Sequence, residues 1–291
     1  MKTILEARKL SKSYGQLLAV DAVDLAIEEG ICFGLLGPNG AGKTTTIEML
    51  EGILTPNAGE ILFRGKPIDR QFKKKVGIQF QSTSLPEFIT VKETLELFRA
   101  FYPEPRDMDE LIDICSLSDI LKQDNRKLSG GQRQRMLLAL AIIPNPEIVF
   151  LDEPTTGLDP QARRNFWDLI KKIKAERKTI LLTTHYMEEA ELLCDKIAIM
   201  DKGVMVECDT PAKLLEKHFD GALVKVPHQR NAKLKSGDSK IVGDMLEIQT
   251  ETLHDTLHEL IHANIDMTGL SIHKPNLEDL FIKLTGSSLR S

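Results

Sequence analysis

The chain has 291 residues, 42% of them hydrophobic, enough for one large core and a small second domain and far from the composition of disordered proteins. A formal net charge of -5 excludes a general attraction to nucleic acid or acidic lipid, so no nucleic acid is expected among its partners. No stretch reaches the ~18 apolar residues that cross a bilayer, and Met1-Lys2-Thr3-Ile4 lacks the apolar stretch of a signal peptide, so work at a membrane requires a partner that supplies the span.

Alternating apolar residues in Ile4 to Leu10, Val23 to Ile27 and Glu60 to Arg64 predict antiparallel strands at the front of the chain. Between them, Ile31 to Leu36 is almost wholly apolar, as suits a strand covered on both faces of a sheet. It runs into Gly37-Pro38-Asn39-Gly40-Ala41-Gly42-Lys43-Thr44, which fits GxxxxGK[ST] in the strand-to-helix setting that this motif demands. The glycines let backbone N–H groups turn inward on a β-phosphate, the helix adds its positive end, Lys43 supplies a point charge, and Thr44 is placed to ligate Mg²⁺. Nucleotide binding follows from this motif alone.

A strand is expected from Val76 to Phe80. The run Lys73-Lys74-Lys75 before it reads as a solvated loop. From about Thr90 to Ile143 the pattern is helical throughout, with Ser129 as N-cap and Pro144-Asn145-Pro146 as the stop, so a helical subdomain (about 82–143) is inserted into an α/β core. Leu128-Ser129-Gly130-Gly131-Gln132 opens its last helix. Two glycines in a first turn are poor for helix propensity but suit a phosphate approaching exposed N–H groups, a second anion half-site.

Further buried strands are read at Glu147 to Leu151 and Thr179 to Thr184, the pattern of a parallel sheet wrapped by helices. The first ends in Asp152-Glu153, two carboxylates at the sheet edge where ligands bind: Asp152 can hold Mg²⁺ and Glu153 can orient or deprotonate the attacking water. The second delivers His185 to the same edge, where it could contact the γ-phosphate and hold that water in line. Cys32, Cys115, Cys194 and Cys208 lack CxxC spacing, and a reducing cytosol is the simplest setting for them.

After about Phe219 the texture changes. Strands are predicted at Ala222 to Val226 and Met245 to Thr250, with a polar Lys/Gly/Ser stretch between them up to Gly243. A helix, a strand from Ile265 to Ile272 and a last helix from Asn276 follow. This gives an ATP-binding domain over 1–218 and a small β/α domain over 219–291. His254, His258 and His262 form an i, i+4, i+8 stripe beside the apolar Leu253, Leu257, Leu260 and Ile261, read as a polar helix face, with a metal site as the alternative.

Together the phosphate loop, LSGGQ, Leu151-Asp152-Glu153, Thr155-Thr156-Gly157-Leu158-Asp159 and His185 stand in the order of the ATP-binding subunits of ABC transporters, which the chain resembles over roughly residues 1 to 218. The resemblance implies a head-to-tail dimer, expected to be a homodimer, with two ATPs between phosphate loop and signature. It implies Tyr14 stacked on adenine and Thr45 beside Thr44 in the phosphate site. It implies Gln81 as a catalytic residue that touches Mg²⁺ when the helical subdomain rotates inward, and Asp159 communicating across the dimer, although Asp159 also fits a simple helix cap. Gln79 lies two residues before Gln81; Gln81 is preferred because Val76-Gly77-Ile78 aligns with the strand.

The segments Tyr186 to Glu191, Asp195 to Gly203 and Asn276 to Gly286 resemble the drug and polyketide exporter branch, whose permease is a separate multi-spanning polypeptide. The expected place is the cytoplasmic face of the cell membrane, with the surface from Ser82 to Val91 receiving the permease. The alternatives are a soluble ABC clamp of translation or DNA repair, an ATP-sensing switch with little hydrolysis, and an importer.

Overall fold

The computed structural model describes residues 2–81, 83–228 and 238–286. They fall into two compact units, one up to Thr210 and the other from Pro211 onward. The seam lies eight residues ahead of the expected 218/219 division.

In chain order the first unit contains β1 (Thr3–Tyr14), β2 (Leu17–Glu28), β3 (Cys32–Leu36), α1 (Lys43–Leu50), β4 (Ala58–Phe63), β5 (Lys66–Pro67) and β6 (Val76–Gln79). Three helices follow, α2 (Val91–Arg99), α3 (Met108–Ile114) and α4 (Gly130–Ile142). The unit then runs through β7 (Ile148–Asp152), α5 (Pro160–Ala175), β8 (Thr179–Thr184), α6 (Met187–Leu193), β9 (Lys196–Asp201) and β10 (Val204–Asp209).

Two sheets organise it. The front strands form an antiparallel sheet in the order β2-β1-β4-β5. The second sheet has the order β10-β9-β3-β8-β7-β6, parallel except for β10, which runs antiparallel to β9 at one edge. Every residue of β3 and β8 is buried, as expected where helices cover both faces. The core joins Ile4, Leu5 and Leu10 of the first sheet to Phe33, Phe150 and Leu181 of the second. β9 and β10 are strands that sequence reasoning did not identify.

The helical expectation for Thr90 to Ile143 needs correction. Helix stops after Arg99, because Pro103 and Pro105 cannot continue it, and restarts at α3 under an Asp107 cap that accepts from Asp109 N and Glu110 N. Between α3 and α4, Ser116 takes a left-handed φ of 51° and a 3-10 turn spans Asn125–Lys127. α2 carries a full Thr90/Glu93 capping box, and α4 a full Ser129/Gln132 box.

The second unit comprises α7 (Pro211–His218), β11 (Ala222–Pro227), β12 (Asp238–Val242), β13 (Met245–Thr250), α8 (Leu253–His262), β14 (Ser271–His273) and α9 (Leu277–Thr285). Its antiparallel sheet has the order β12-β13-β11-β14, so β13 and β14 run parallel on either side of β11 with α8 as their crossover. Val224, Val226 and Ile248 face Leu260 of α8. The polar stretch after β11 is not wholly irregular, since β12 pairs with β13; its residues 229–237 lie outside those described. The strand expected from Ile265 to Ile272 shrinks to Ser271–His273: Asn264 and Gly269 adopt positive φ, and Asp266 bonds Thr268 N at 2.9 Å, so Ile265 is buried from a turn.

Candidate functional site

The parallel register brings the motifs to one edge. Leu36 stands beside Thr184 and Asp152 beside Thr183, so Gly37, His185 and Glu153 leave the sheet at nearly the same level, and Gln81 follows the neighbouring β6. These segments bound a cleft of about 720 Å³, lined by Lys43, Thr44, Thr45, Gln81, Glu153 and His185 together with Asn39, Gly40 and Gly42 of the loop.

The loop is built for close approach. A Cβ on Gly37 would lie 2.4 Å from Met200 O, and one on Gly42, at φ 98°, would lie 2.4 Å from Ala19 O. Ala41 is buried, accepts from Gly203 N at 3.0 Å, and donates its own N–H to Pro38 O at 3.1 Å, closing the curl. Gly42 is the N-cap of α1 and no side chain caps that helix, so its first-turn N–H groups face the cleft as donors. The Lys43 ammonium lies back on Gly37 O (2.8 Å) and Pro38 O (3.1 Å); burial lowers its pKa, opposed by the charges of Glu153 and Asp152.

Opposite the loop, Glu153 holds a left-handed φ of 45°, a costly conformation for a non-glycine residue and one that clusters at functional sites. It is pinned by its N–H donating to Thr183 Oγ1 at 2.9 Å. Glu153 Oε2 accepts from Gln81 Nε2 (3.2 Å) and from the Thr156 hydroxyl (3.2 Å), and lies 3.4 Å from His185 Nδ1. The hydrogen bond to His185 holds the Glu153 carboxyl below the ordinary carboxylate range against the opposing effect of burial. Asp152 goes the other way: burial raises it, although the Thr183 hydroxyl donates to Oδ1 at 2.5 Å. Two adjacent acids in unlike environments can divide the labour between metal ligand and base.

Of the two glutamines, Gln81 is at the carboxylate, whereas Gln79 is buried and donates to Gln134 Oε1. Tyr14 is 48% exposed at the end of β1 and lines the mouth of the cleft with Leu17 and Ala19, an apolar ledge fit for a base. Thr183 and Thr156 were missed by sequence reasoning. The signal for Thr183 was a polar pair ending an apolar strand, and that for Thr156 its place one helical turn beyond Glu153.

Ser129, Gly130, Gly131, Gln132 and Asp159 are not brought to this cleft. Ser129, Gly131 and Gln132 line a second one of about 680 Å³ with Arg135 and Lys172. The capping box there uses the Ser129 and Gln132 N–H groups and leaves those of Gly130 and Gly131 outside it. Asp159 is the N-cap of α5, accepting from Ala162 N at 2.8 Å. A third, largely apolar groove of about 320 Å³ runs beside Gln79, lined by Ile53, Phe80, Phe98, Tyr102 and Leu140, with Glu51 in its wall.

The residues fit a nucleotide and a divalent cation. The glycine-rich loop and uncapped helix suit phosphate, and the hydroxyl and carboxylate oxygens of Thr44 and Asp152 are hard donors of the kind Mg²⁺ takes. Elsewhere, His254 and His258 have ring centroids 4.5 Å apart on α8, and no group of three His, Cys, Asp or Glu disposed to hold a metal occurs among the described residues. The cysteines are free, with Cys32 and Cys194 buried and their sulfurs 3.9 Å apart.

The sequence pattern of the family described as ABC transporter matches residues 20–156. The Nod factor export ATP-binding protein I of Cupriavidus pinatubonensis is 38% identical over 100% of this chain and 93% of its own length. Among solved structures, cbiO1 from Clostridium perfringens, part of the ABC transporter complex cbiONQ, aligns with a TM-score of 0.68 at 28% identity, covering 75% of this chain and 92% of its own. A dimeric ATP-binding cassette in a post-hydrolysis state, bound to ADP and Pi, aligns with a TM-score of 0.64 at 26% identity over 71% of this chain and 98% of its own. With the phosphate cradle, the paired acids and the histidine gathered at one sheet edge, the chain belongs to the ABC transporter family, as an ATP-binding, ATP-hydrolysing subunit.

Proposed function

We propose that two copies of the chain close head to tail on two ATP molecules, and that closing and reopening drive a separate multi-spanning permease between inward-facing and outward-facing states to export a substrate. The observation that carries this reading is the convergence of Gln81, Thr156 and His185 on the Glu153 carboxylate across from the Lys43 loop. In each composite site the Gly37–Thr45 loop would hold the phosphates, Tyr14 would stack on adenine, and Ser129 to Gln132 of the second copy would close over the γ-phosphate. Mg²⁺, held by Thr44 and Asp152 with Gln81 in reach, would neutralise phosphate charge. Glu153 takes the proton of the attacking water, and His185 keeps the carboxylate ionised and aligned.

Free energy reaches the permease by differential binding of its two states. The separation of the signature cleft from the phosphate cleft within one chain supports the two-copy arrangement. No helix among the described residues is long and apolar enough to cross a membrane, which suits a subunit held at the cytoplasmic face by its partner. The docking surface expected over Ser82 to Val91, of which Ser82 lies outside the described residues, adjoins the third groove. There Ile53, Phe80 and Tyr102 are exposed apolar side chains that fit an amphipathic helix. The similarity to an export ATP-binding protein along the full chain favours export over import.

The test is a detergent-solubilised pull-down of tagged Glu153→Gln chain from native membranes with Mg-ATP. Recovery of a multi-spanning membrane protein supports the transporter reading; recovery of ribosomes or DNA-repair proteins in its place assigns the chain to the soluble clamps.

A further inference from the structure

Behind the hydrolytic residues lies a buried acid to which the reading above gives no task. Glu189, in the first turn of α6, is fully buried. Its Oε1 accepts hydrogen bonds from the Thr155 hydroxyl (3.0 Å) and from the indole N–H of Trp167 (2.8 Å), both on buried residues. Thr155 belongs to the turn between Glu153 and Asp159, Trp167 to the helix that Asp159 caps, and Glu189 follows His185 by one helical turn. A single carboxyl oxygen therefore joins the three segments that carry Glu153, Asp159 and His185.

The surroundings strengthen the tie. The Arg163 guanidinium stacks 3.8 Å from the Tyr186 ring centroid, and that ring lies 4.1 Å from the ring of His185. Glu189 Oε2 and Arg163 Nε are both buried without a hydrogen-bond partner, a costly arrangement that an apolar side chain at position 189 would avoid. Burial pushes the Glu189 carboxyl up, against the hydrogen bonds from Trp167 and Thr155 and the charge of Arg163.

We propose that Glu189 is a positioning residue for hydrolysis: it locks the Glu153–Asp159 turn and helix α5 to the helix behind His185, so that base and histidine shift together when a second copy engages the Asp159 turn. The proposal rests on the ATPase dimer described above. Trp167 is the sole tryptophan of the chain, so its emission reads this junction directly.

The experiment titrates Mg-ATP into the full chain, following Trp167 emission, nucleotide binding by the anisotropy of a fluorescent ATP analogue, and steady-state kcat and KM per nucleotide-binding site. Wild type should change its emission as ATP binds. Glu189→Gln, whose amide oxygen still accepts from Thr155 and Trp167, should keep that change and most of the turnover. Glu189→Leu should lose the change and lower kcat at least about tenfold with KM little altered, as a small misplacement of reacting groups does. Trp167→Phe, which removes only the indole donor, should show the same kcat loss and covers the case in which the Leu variant fails to fold. Unaltered kcat per site in the Leu or Phe variant, or emission that ignores bound ATP, overturns the proposal. A wild-type chain that binds no ATP would overturn the underlying ATPase reading, and the proposal with it.

Discussion

A charged cluster in the second unit and the cleft of the first use charged side chains in opposite ways. In the second, Lys225 lies between Glu247 (2.9 Å) and Asp279 (3.1 Å), and Asp279 also holds His273 (2.9 Å) and caps α9. These charges neutralise one another and fasten a helix to a sheet. In the first, the hydrogen bonds of the Lys43 ammonium go to backbone carbonyls, and Glu153, next to Asp152 in the chain, lines an open cleft. Charges that pair internally make structure, whereas charges held in place by neutral backbone and hydroxyl groups remain available to a ligand.

The sharpest way to break this contrast is Glu153→Gln, which should cut ATP turnover by roughly 10²–10⁴ while leaving nucleotide affinity intact; near-normal turnover in a steady-state assay would refute the general-base role. Next in size, Lys43→Ala should weaken ATP binding by about 10- to 100-fold, the loss of charge-assisted bonds of ~1.5–3 kcal/mol, measured by equilibrium titration. Lys225→Met should do the reverse, destabilising the second unit by about 1–3 kcal/mol in denaturant unfolding because two buried carboxylates lose the ammonium they share, with ATP affinity unchanged. An altered affinity would show that the two units do not divide their tasks as described.

The last effect is on stability alone and concerns a buried acid of the first unit. Burial, with the charges of Asp152 and Glu48 adding to it, pushes the Glu51 carboxyl up to about 8. A carboxyl raised on folding binds its proton more tightly in the native state. The folded form therefore loses stability as pH climbs from the ordinary carboxylate range of about 4 toward about 8, and no more beyond. Glu51→Gln removes that dependence: its melting temperature should match wild type near pH 4 and exceed it by a margin that grows up to about pH 8.

The phosphate loop and Ser129 cap were legible because their geometry is local, written in contiguous residues whose backbone needs only Gly, Ser or Lys at fixed offsets. Residues whose role depends on strand register were not. Thr183 meets Asp152 and Glu153 only because β8 pairs with β7 in a register no single segment encodes, and Glu189 meets Trp167 only after α5 and α6 have packed. Gln81 was separable from Gln79 because the end of β6 sets which glutamine is buried in the sheet and which one clears it. The Ile265 to Ile272 expectation failed for the converse reason: apolar residues can be buried from a turn, and positive φ at Asn264 and Gly269 breaks the extended path. β9, apolar and short, pairs with β3 across most of the chain and reads as a strand only once that partner is in place.

In the proposed dimer each hydrolytic site is assembled from two copies, the phosphate loop of one and the signature of the other. The direct test mixes two inactive full-length variants, Lys43→Ala and Ser129→Arg, and measures ATPase activity against each alone. Random pairing leaves one intact composite site in half of the dimers, so activity should recover to about a quarter of wild type. Activity no greater than the sum of the two separate variants would contradict the shared-site arrangement.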